Sequence, residues 1–124
     1  MDVQLVAPDR MVWSGEAEIV LARTVDGELG ILARHAPLLG VLVESPVTIR
    51  RSDEGDLVAA VHGGFLSVGE DGVKMLAEIV ELAEEIDVSR ARQAFDRTKD
   101  SDDEAEQAAA RRARARLRAA GEEV

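Results

Sequence analysis

Apolar and polar residues alternate with the period of a β-strand over the first 83 residues, broken at short intervals by turn formers. Val3 and Leu5 alternate with Asp2 and Gln4 ahead of a Pro8-Asp9 turn, and Ile19 and Leu21 flank the next long run after Glu18. Asp26-Gly27 reads as a hairpin turn. Glu28 to Leu32 follows as a strand, then a loop through His35-Ala36-Pro37, then the apolar stretch Leu38 to Val43, expected to be buried on both faces or covered by a partner. Pro46 opens a strand from Val47 to Arg51, in which Val47 and Ile49 oppose Thr48 and Arg50. After a turn at Asp53-Glu54-Gly55-Asp56 come strands over Leu57 to Val61, Phe65 to Val68 and Val73 to Ala77, separated by Gly63-Gly64 and Glu70-Asp71-Gly72. Glu78 to Ala83 reads as one more strand despite its acids. Short strands at this spacing predict two packed sheets.

At Asp87 the period changes. Asp87 is a good N-cap, Ile86 before it suits an apolar staple, and Val88, Ala91 and Phe95 recur at helical spacing, which predicts a helix to about Thr98. Ser101-Asp102-Asp103-Glu104 has the form of a capping box with Ser101 as the cap, so a second helix is expected from there to Gly121, a residue suited to a C-terminal cap. Only Lys99 and Asp100 are left between the two. Acids open the second helix, and Arg111, Arg112, Arg114, Arg116 and Arg118 crowd its end, as the helix macrodipole favours. Leu117 is its one large apolar residue, and alanines bury little area at about 25 cal/mol per Å². The helix is therefore expected to form without docking firmly, as a mobile element does. The pattern as a whole is α+β: a β-sandwich domain over 1–86 and a helical hairpin over 87–124.

Charge follows the same division. The net charge is -10, and residues 1–86 hold sixteen acids against six bases while 87–124 hold nine of each. A strongly acidic module repels nucleic acid and anionic lipid, which argues against both as partners. At 124 residues the chain can bury roughly two thirds of its unfolded surface, and without cysteine its core must hold by packing alone. The longest apolar stretch, Leu38 to Val43, falls far short of the roughly 20 residues of a membrane-spanning helix. Asp2, Gln4, Asp9 and Arg10 break up any secretory leader. A soluble cytoplasmic protein without direct lipid insertion is expected.

The stretch Gly27-Glu28-Leu29-Gly30-Ile31-Leu32-Ala33-Arg34-His35-Ala36-Pro37-Leu38-Leu39 closely resembles the epsilon family of bacterial F-type ATP synthases. Val12-Trp13-Ser14-Gly15, Gly63-Gly64-Phe65-Leu66-Ser67-Val68 and Ile86-Asp87-Val88-Ser89-Arg90-Ala91 fall in the family's order. The short hairpin, rich in Ala and Arg, is similar to the compact actinobacterial form. The resemblance implies a ten-stranded β-sandwich clamped to the gamma stalk and resting on the ring of membrane c subunits, followed by a helical hairpin. It implies a central-stalk rotor subunit, peripheral on the cytoplasmic side of the cell membrane, that couples proton flow to ATP synthesis. Glu28, Leu29, Gly30 and Ile31 would meet the polar loops of the c ring, and His35, Ala36, Pro37, Leu38 and Leu39 the adjoining gamma and c contact. Ile86, Asp87, Arg90 and Ala91 match a motif linked to ATP binding in the family, and Glu81 and Arg97 stand where its nucleotide site has a Glu and a later Arg. Arg111, Arg112, Arg114, Arg116 and Arg118 would meet an acidic segment of the beta subunit, a transient contact with the alpha/beta catalytic head that brakes ATP hydrolysis. No cofactor is required; regulatory ATP is the one ligand implied.

Each of these residues also has a plainer reading. A hairpin Glu and a loop His are ordinarily solvated, and Gly27 and Gly30 serve turns that need positive φ. An N-cap, a staple and an arginine three residues on would look the same in a helix that binds nothing. The arginine run suits a solvated face whose ion pairs contribute only about 0–1 kcal/mol each. Trp13 and Phe65 suit core or interface packing, since a base-stacking platform needs more aromatics and a basic groove. His35 and His62 stand far apart, with no Ser-His-Asp signature, phosphate loop or metal-ligand cluster, so no catalysis of the chain's own is expected. His62, beside Val61, reads as a satisfied structural histidine. Three classes stay open: a rotor subunit, an independent acidic adaptor that docks another protein through its arginine helix, and a small-ligand-binding sandwich. Co-purification from membranes separates them.

Overall fold

The alternating pattern folds into eight strands in a computed structural model that describes residues 1–124: β1 (Asp2–Ala7), β2 (Arg10–Glu16), β3 (Ile19–Thr24), β4 (Gly27–Leu32), β5 (Leu38–Val41), β6 (Ser45–Arg51), β7 (Gly55–Gly69) and β8 (Gly72–Leu82). The strands neighbour one another in the order β2-β1-β8-β7-β6-β3-β4, with β5 paired to β7 off that path. Every pairing is antiparallel except that of β1 with β8.

β7 is the pivot of the sandwich. Its first half pairs with β6, Ala59 opposite Val47, and its second with β5, Leu66 opposite Gly40, while β8 follows it from Ala59 to Gly69. The strand thus serves both layers and crosses between them at Gly63-Gly64. Both glycines have positive φ, 79° and 121°, and a Cβ on Gly64 would stand 2.1 Å from the Leu76 carbonyl oxygen. No side chain fits there unless the backbone moves. The structure therefore has eight strands where the resemblance implies ten. Leu57 to Val61 and Phe65 to Val68 are one strand bent at the glycine pair, and Val73 to Ala77 runs on through Glu78 to Leu82.

Between the layers lie Val3, Leu5, Val20, Ile31, Val47, Ile49, Val61, Leu66 and Met75, each no more than 1% exposed. Trp13 packs half-buried against this core, its indole lying across Gly15, where a Cβ would come within 2.8 Å of the ring. The β3–β4 hairpin turns at Val25-Asp26, one residue earlier than the Asp26-Gly27 pair suggests, because Thr24 pairs with Gly27. Thr24 Oγ1 accepts from Asp26 N–H at 3.2 Å and donates to the Gly27 carbonyl at 3.3 Å. Leu38 to Val43 is not buried on both faces. Gly40 and Leu42 point inward, and Leu39 and Val41 point out to solvent.

A single 3-10 turn, Ala83–Glu85, leads from β8 to the helices α1 (Val88–Thr98) and α2 (Glu104–Ala119). Asp87 caps α1 by accepting from Arg90 N–H at 3.0 Å. The cap of α2 is Asp103, which accepts from Glu106 N–H at 3.1 Å; Ser101 instead takes the Asp103 N–H, so the linker is longer than Lys99-Asp100. Gly121, at φ 86°, closes α2: its N–H reaches the Arg118 carbonyl and that of Glu122 reaches Leu117, a Schellman arrangement.

α2 is firmly docked, contrary to the expectation from its poverty in large side chains. One face places Ala110, Ala113 and Leu117 against Ala91 and Phe95 of α1; another places Ala115 and Ala119 on Ala60 of β7, beside Val58 and Ile86. Small side chains bury little area each, but they let the helix approach the sheet closely enough to exclude water. Ala113 and Leu117 are fully buried.

Candidate functional site

The β3–β4 hairpin and the loop after it carry the first group of candidates. Glu28 is exposed on β4, its carboxylate 2.5 Å from the Arg23 guanidinium on the neighbouring strand. Leu29 is half-buried against the core and Gly30 faces solvent. Ile31 is fully buried opposite Val20, so it offers no surface to a partner and acts only by anchoring the strand. A Cβ on Gly30 would meet Leu21 at 3.5 Å, an ordinary contact, and Gly30 has no positive φ. The sterically demanding residue of the loop is Arg34, at φ 70°. His35 is half-buried, its N–H bonded to the Leu32 carbonyl and its Nδ1 2.7 Å from the Ala36 carbonyl oxygen. Ala36 and Pro37 are exposed, Leu38 is half-buried and Leu39 is 74% exposed.

Leu39 is one end of a feature the sequence did not announce. Val41 pairs with Phe65, Phe65 with Leu76, Leu76 with Val6, and Val6 with Met11. The register therefore lines these side chains across β5, β7, β8, β1 and β2 on the side away from the core. Phe65 is 54% exposed, and Val41, Leu76 and Met11 are exposed as well. A contiguous row of large apolar side chains on one flank marks an interaction surface more strongly than scattered ones do. Only the strand order, not the sequence spacing, brings the five together.

The second group surrounds α1. Ile86 packs with Ala60, Ala115 and Ala119, Asp87 is the cap, and Ala91 is buried against α2. These three are occupied by folding the hairpin. Arg90 and Arg97 stay exposed on α1. Glu81 does not join them. Its Oε1 accepts from Arg116 Nε of α2 at 2.7 Å and from His62 Nε2 of β7 at 2.8 Å.

The arginines of α2 are drawn to several partners within the chain. Arg116 takes Glu81, Arg111 lies 4.0 Å from Glu44, and Arg114 stacks 5.4 Å over the Phe95 ring. Arg118 and Arg23 line one cleft with Ser45 and Pro46. Arg112 is half-buried.

His62 is only partly the satisfied histidine expected. It is 4% exposed, and because a carboxylate only accepts, its Nε2 carries the proton donated to Glu81. Nδ1 is buried with no hydrogen-bond partner. Burial holds the imidazole below its ordinary range, against the pull of the Glu81 hydrogen bond, and the Arg116 charge adds to the depression. For Glu81 burial pushes upward, but the hydrogen bonds from Arg116 and His62 outweigh it, and the carboxyl titrates below its usual range. No group of three or more His, Asp or Glu side chains is arranged to hold a metal ion, and no helix is long and apolar enough to cross a membrane.

Residues 1–83 match the family described as the ATP synthase delta/epsilon chain β-sandwich domain. An ATP synthase epsilon chain of Streptomyces griseus is 56% identical over 119 residues, covering 96% of this chain and 94% of that one. The epsilon chain of Mycobacterium avium is 50% identical over 122 residues, covering 98% and 95%. Among solved structures, a chain of the Euglena gracilis mitochondrial ATP synthase OSCP/F1/c-ring assembly superposes with TM-score 0.82 at 24% identity, covering 95% of this chain and 79% of that one. A chain of the Tetrahymena thermophila mitochondrial ATP synthase central stalk and c ring does so with TM-score 0.62 at 22% identity, covering 94% and 90%. These two likenesses speak for the fold. With a sandwich matched over its whole length and relatives at half identity or more that include the hairpin, the chain belongs to the ATP synthase epsilon-chain family, structural and non-catalytic subunits of that enzyme.

Proposed function

We propose that this chain is a rotor subunit of a proton-translocating ATP synthase, holding the gamma stalk to the c ring on the cytoplasmic side of the membrane. The observation that carries the reading is the exposed apolar row from Val41 through Phe65, Leu76 and Val6 to Met11, flanked by Leu39. A long apolar flank on an otherwise acidic surface suits an obligate partner, and the gamma stalk is the partner that family membership offers. Glu28 and Gly30, exposed on β4 and lining a cleft with Arg118 of α2, serve the polar loops of the c ring, and His35 to Leu39 the adjoining contact. The decisive test replaces Phe65 with Glu. The half-exposed ring can be exchanged without opening the core, so the variant should fold normally yet fail to co-purify with gamma and the c ring from membranes. Co-purification at wild-type yield would refute the docking surface, and capture of an unrelated protein would favour an adaptor.

The hairpin is the regulatory part of this proposal. In the docked state Arg111, Arg114 and Arg116 are engaged within the chain, so a brake on ATP hydrolysis through Arg111 to Arg118 requires these three to exchange their partners for acidic groups on the beta subunit. A complex carrying a chain that ends at Ile86 should hydrolyse ATP faster, without a proton gradient, than one with the full chain. Equal rates would leave the sandwich as the coupling element and remove the brake. Exposed Arg90 and Arg97 are the residues left to hold Mg-ATP. Calorimetry on the folded chain at millimolar ATP should give heat that Arg90→Ala and Arg97→Ala abolish, and absence of heat in the parent chain would exclude nucleotide regulation.

A further inference from the structure

Alternate residues of β7 face opposite ways. Ala59 and Val61 enter the core, whereas Val58 and Ala60 belong to the contact with α2, where Ala115 and Ala119 close over Ala60. His62 lies on the same side as Ala60, and Glu81 is the residue of β8 opposite Ala60. The buried imidazole therefore lies on the face that α2 covers, beside Arg116. One carboxylate oxygen of Glu81 holds both His62 and Arg116, while the other ring nitrogen, Nδ1, is buried and unpartnered.

We propose that His62, Glu81 and Arg116 form a proton-operated latch, in which protonation of His62 releases α2 from the sandwich. With the helix docked, a second ring proton would occupy Nδ1, where it finds no acceptor. The resulting imidazolium would also stand beside the Arg116 guanidinium, on the carboxylate oxygen they share. The charged groups facing the ring are Glu81 of β8, Arg116 of α2 and Glu44 of the β5–β6 connection, and Glu44 is itself approached by Arg111 at 4.0 Å. When α2 leaves, Arg116 goes with it, the ring meets water, and Glu81 remains to stabilise the imidazolium. Protons therefore bind the released state more tightly.

The sign follows from the depressed value in the docked state. Docking has its full strength above the ordinary histidine value of 6.5 and weakens as the pH falls through it. With one proton taken up on release, the undocking constant rises by up to roughly tenfold per pH unit until the docked-state value is reached. Glu81, also depressed, acts in the same direction, but only below its ordinary 4.5, so the two windows are separate.

The chain has no cysteine, so dyes can be attached cleanly to Glu106→Cys on α2 and Asp53→Cys at the β6–β7 turn, both exposed. Energy transfer between them should fall as the pH is lowered from about 7.5 to 5.5, with the midpoint matching the His62 ring titration followed by NMR. His62→Gln keeps a donor for Glu81 but takes up no proton, so its transfer should stay flat over this range. Arg116→Gln should lower transfer at every pH and move the His62 titration toward 6.5. The latch is overturned if transfer in the parent chain is constant over this range, if His62→Gln tracks the parent, or if His62 of the docked chain titrates at or above its ordinary value. Should the His62 variant not fold, the NMR titration of the parent chain decides alone. The latch deepens the reading of the hairpin as a movable element, and because it is measured in the isolated chain its failure is distinct from failure of the brake in the assembled enzyme.

Discussion

At the scale of single residues, the positions with least freedom are not those that stand out in the motifs. Gly64 tolerates no Cβ, because the Leu76 carbonyl occupies that space and φ is positive. Gly64→Ala should lose more than about 2 kcal/mol in urea unfolding, the cost of strained φ and a backbone clash together. Leu117 is the one large side chain that α2 buries completely. Leu117→Ala should cost about 2–5 kcal/mol, read as faster hydrogen exchange in α1 and α2 with the sandwich little changed. The sequence showed Asp87 as both cap and motif residue, and the cap is what is seen. It could not show that Glu81 belongs with His62 and Arg116, because that meeting depends on the β7–β8 register and on the docking of a helix 35 residues away. Ile31, prominent in the motif, is a core residue. Periodicity alone would have said so, since Leu29 and Ile31 share the inward face of β4.

At the scale of elements, the boundaries that were legible rest on local chemistry. The Asp87 cap follows from a side chain that bonds its own neighbour, and the Gly121 C-cap from a residue free to take positive φ. The cap of α2 was harder, because Ser101, Asp102 and Asp103 are all competent and the structure uses the last. Asp103→Ala should therefore lower hairpin stability by about 1 kcal/mol, followed by far-UV dichroism on heating, with a smaller loss for Ser101→Ala. Two strands were each divided in the reading of the sequence because glycine pairs and acids ordinarily mark ends. Here the glycines bend a strand that continues, which only a partner on both sides of the bend reveals. The docking of α2 was misjudged for a related reason. Area counted per side chain ignores how near two backbones come when both present alanine.

At the scale of the whole molecule, the sandwich is self-sufficient: its core lies within Val3 to Val80, none of it supplied by the helices. A chain ending at Ile86 should keep its β dichroism and its cooperative unfolding. In that shortened chain His62 should titrate above its value in the full chain, because the cover of α2 and the Arg116 charge are gone while Glu81 remains. An NMR titration of the two chains checks this, and identical values would mean that the sandwich itself buries the ring. The acidic sandwich and the balanced hairpin read directly from the sequence. The apolar row on the opposite flank did not, since its members come from five strands and each alone is an unremarkable surface residue.

The alanine contact beneath α2 also determines what the molecule is like once opened. A helix held by leucines and phenylalanines would leave a wide oily scar on leaving, and open molecules would find one another. Here departure uncovers Ala60, parts of Val58 and Ile86, and the polar His62 and Glu81, a small and mixed surface that water wets readily. The opened form should remain monomeric at concentrations where the closed form does, so the hairpin can leave and return many times without loss of protein to aggregation.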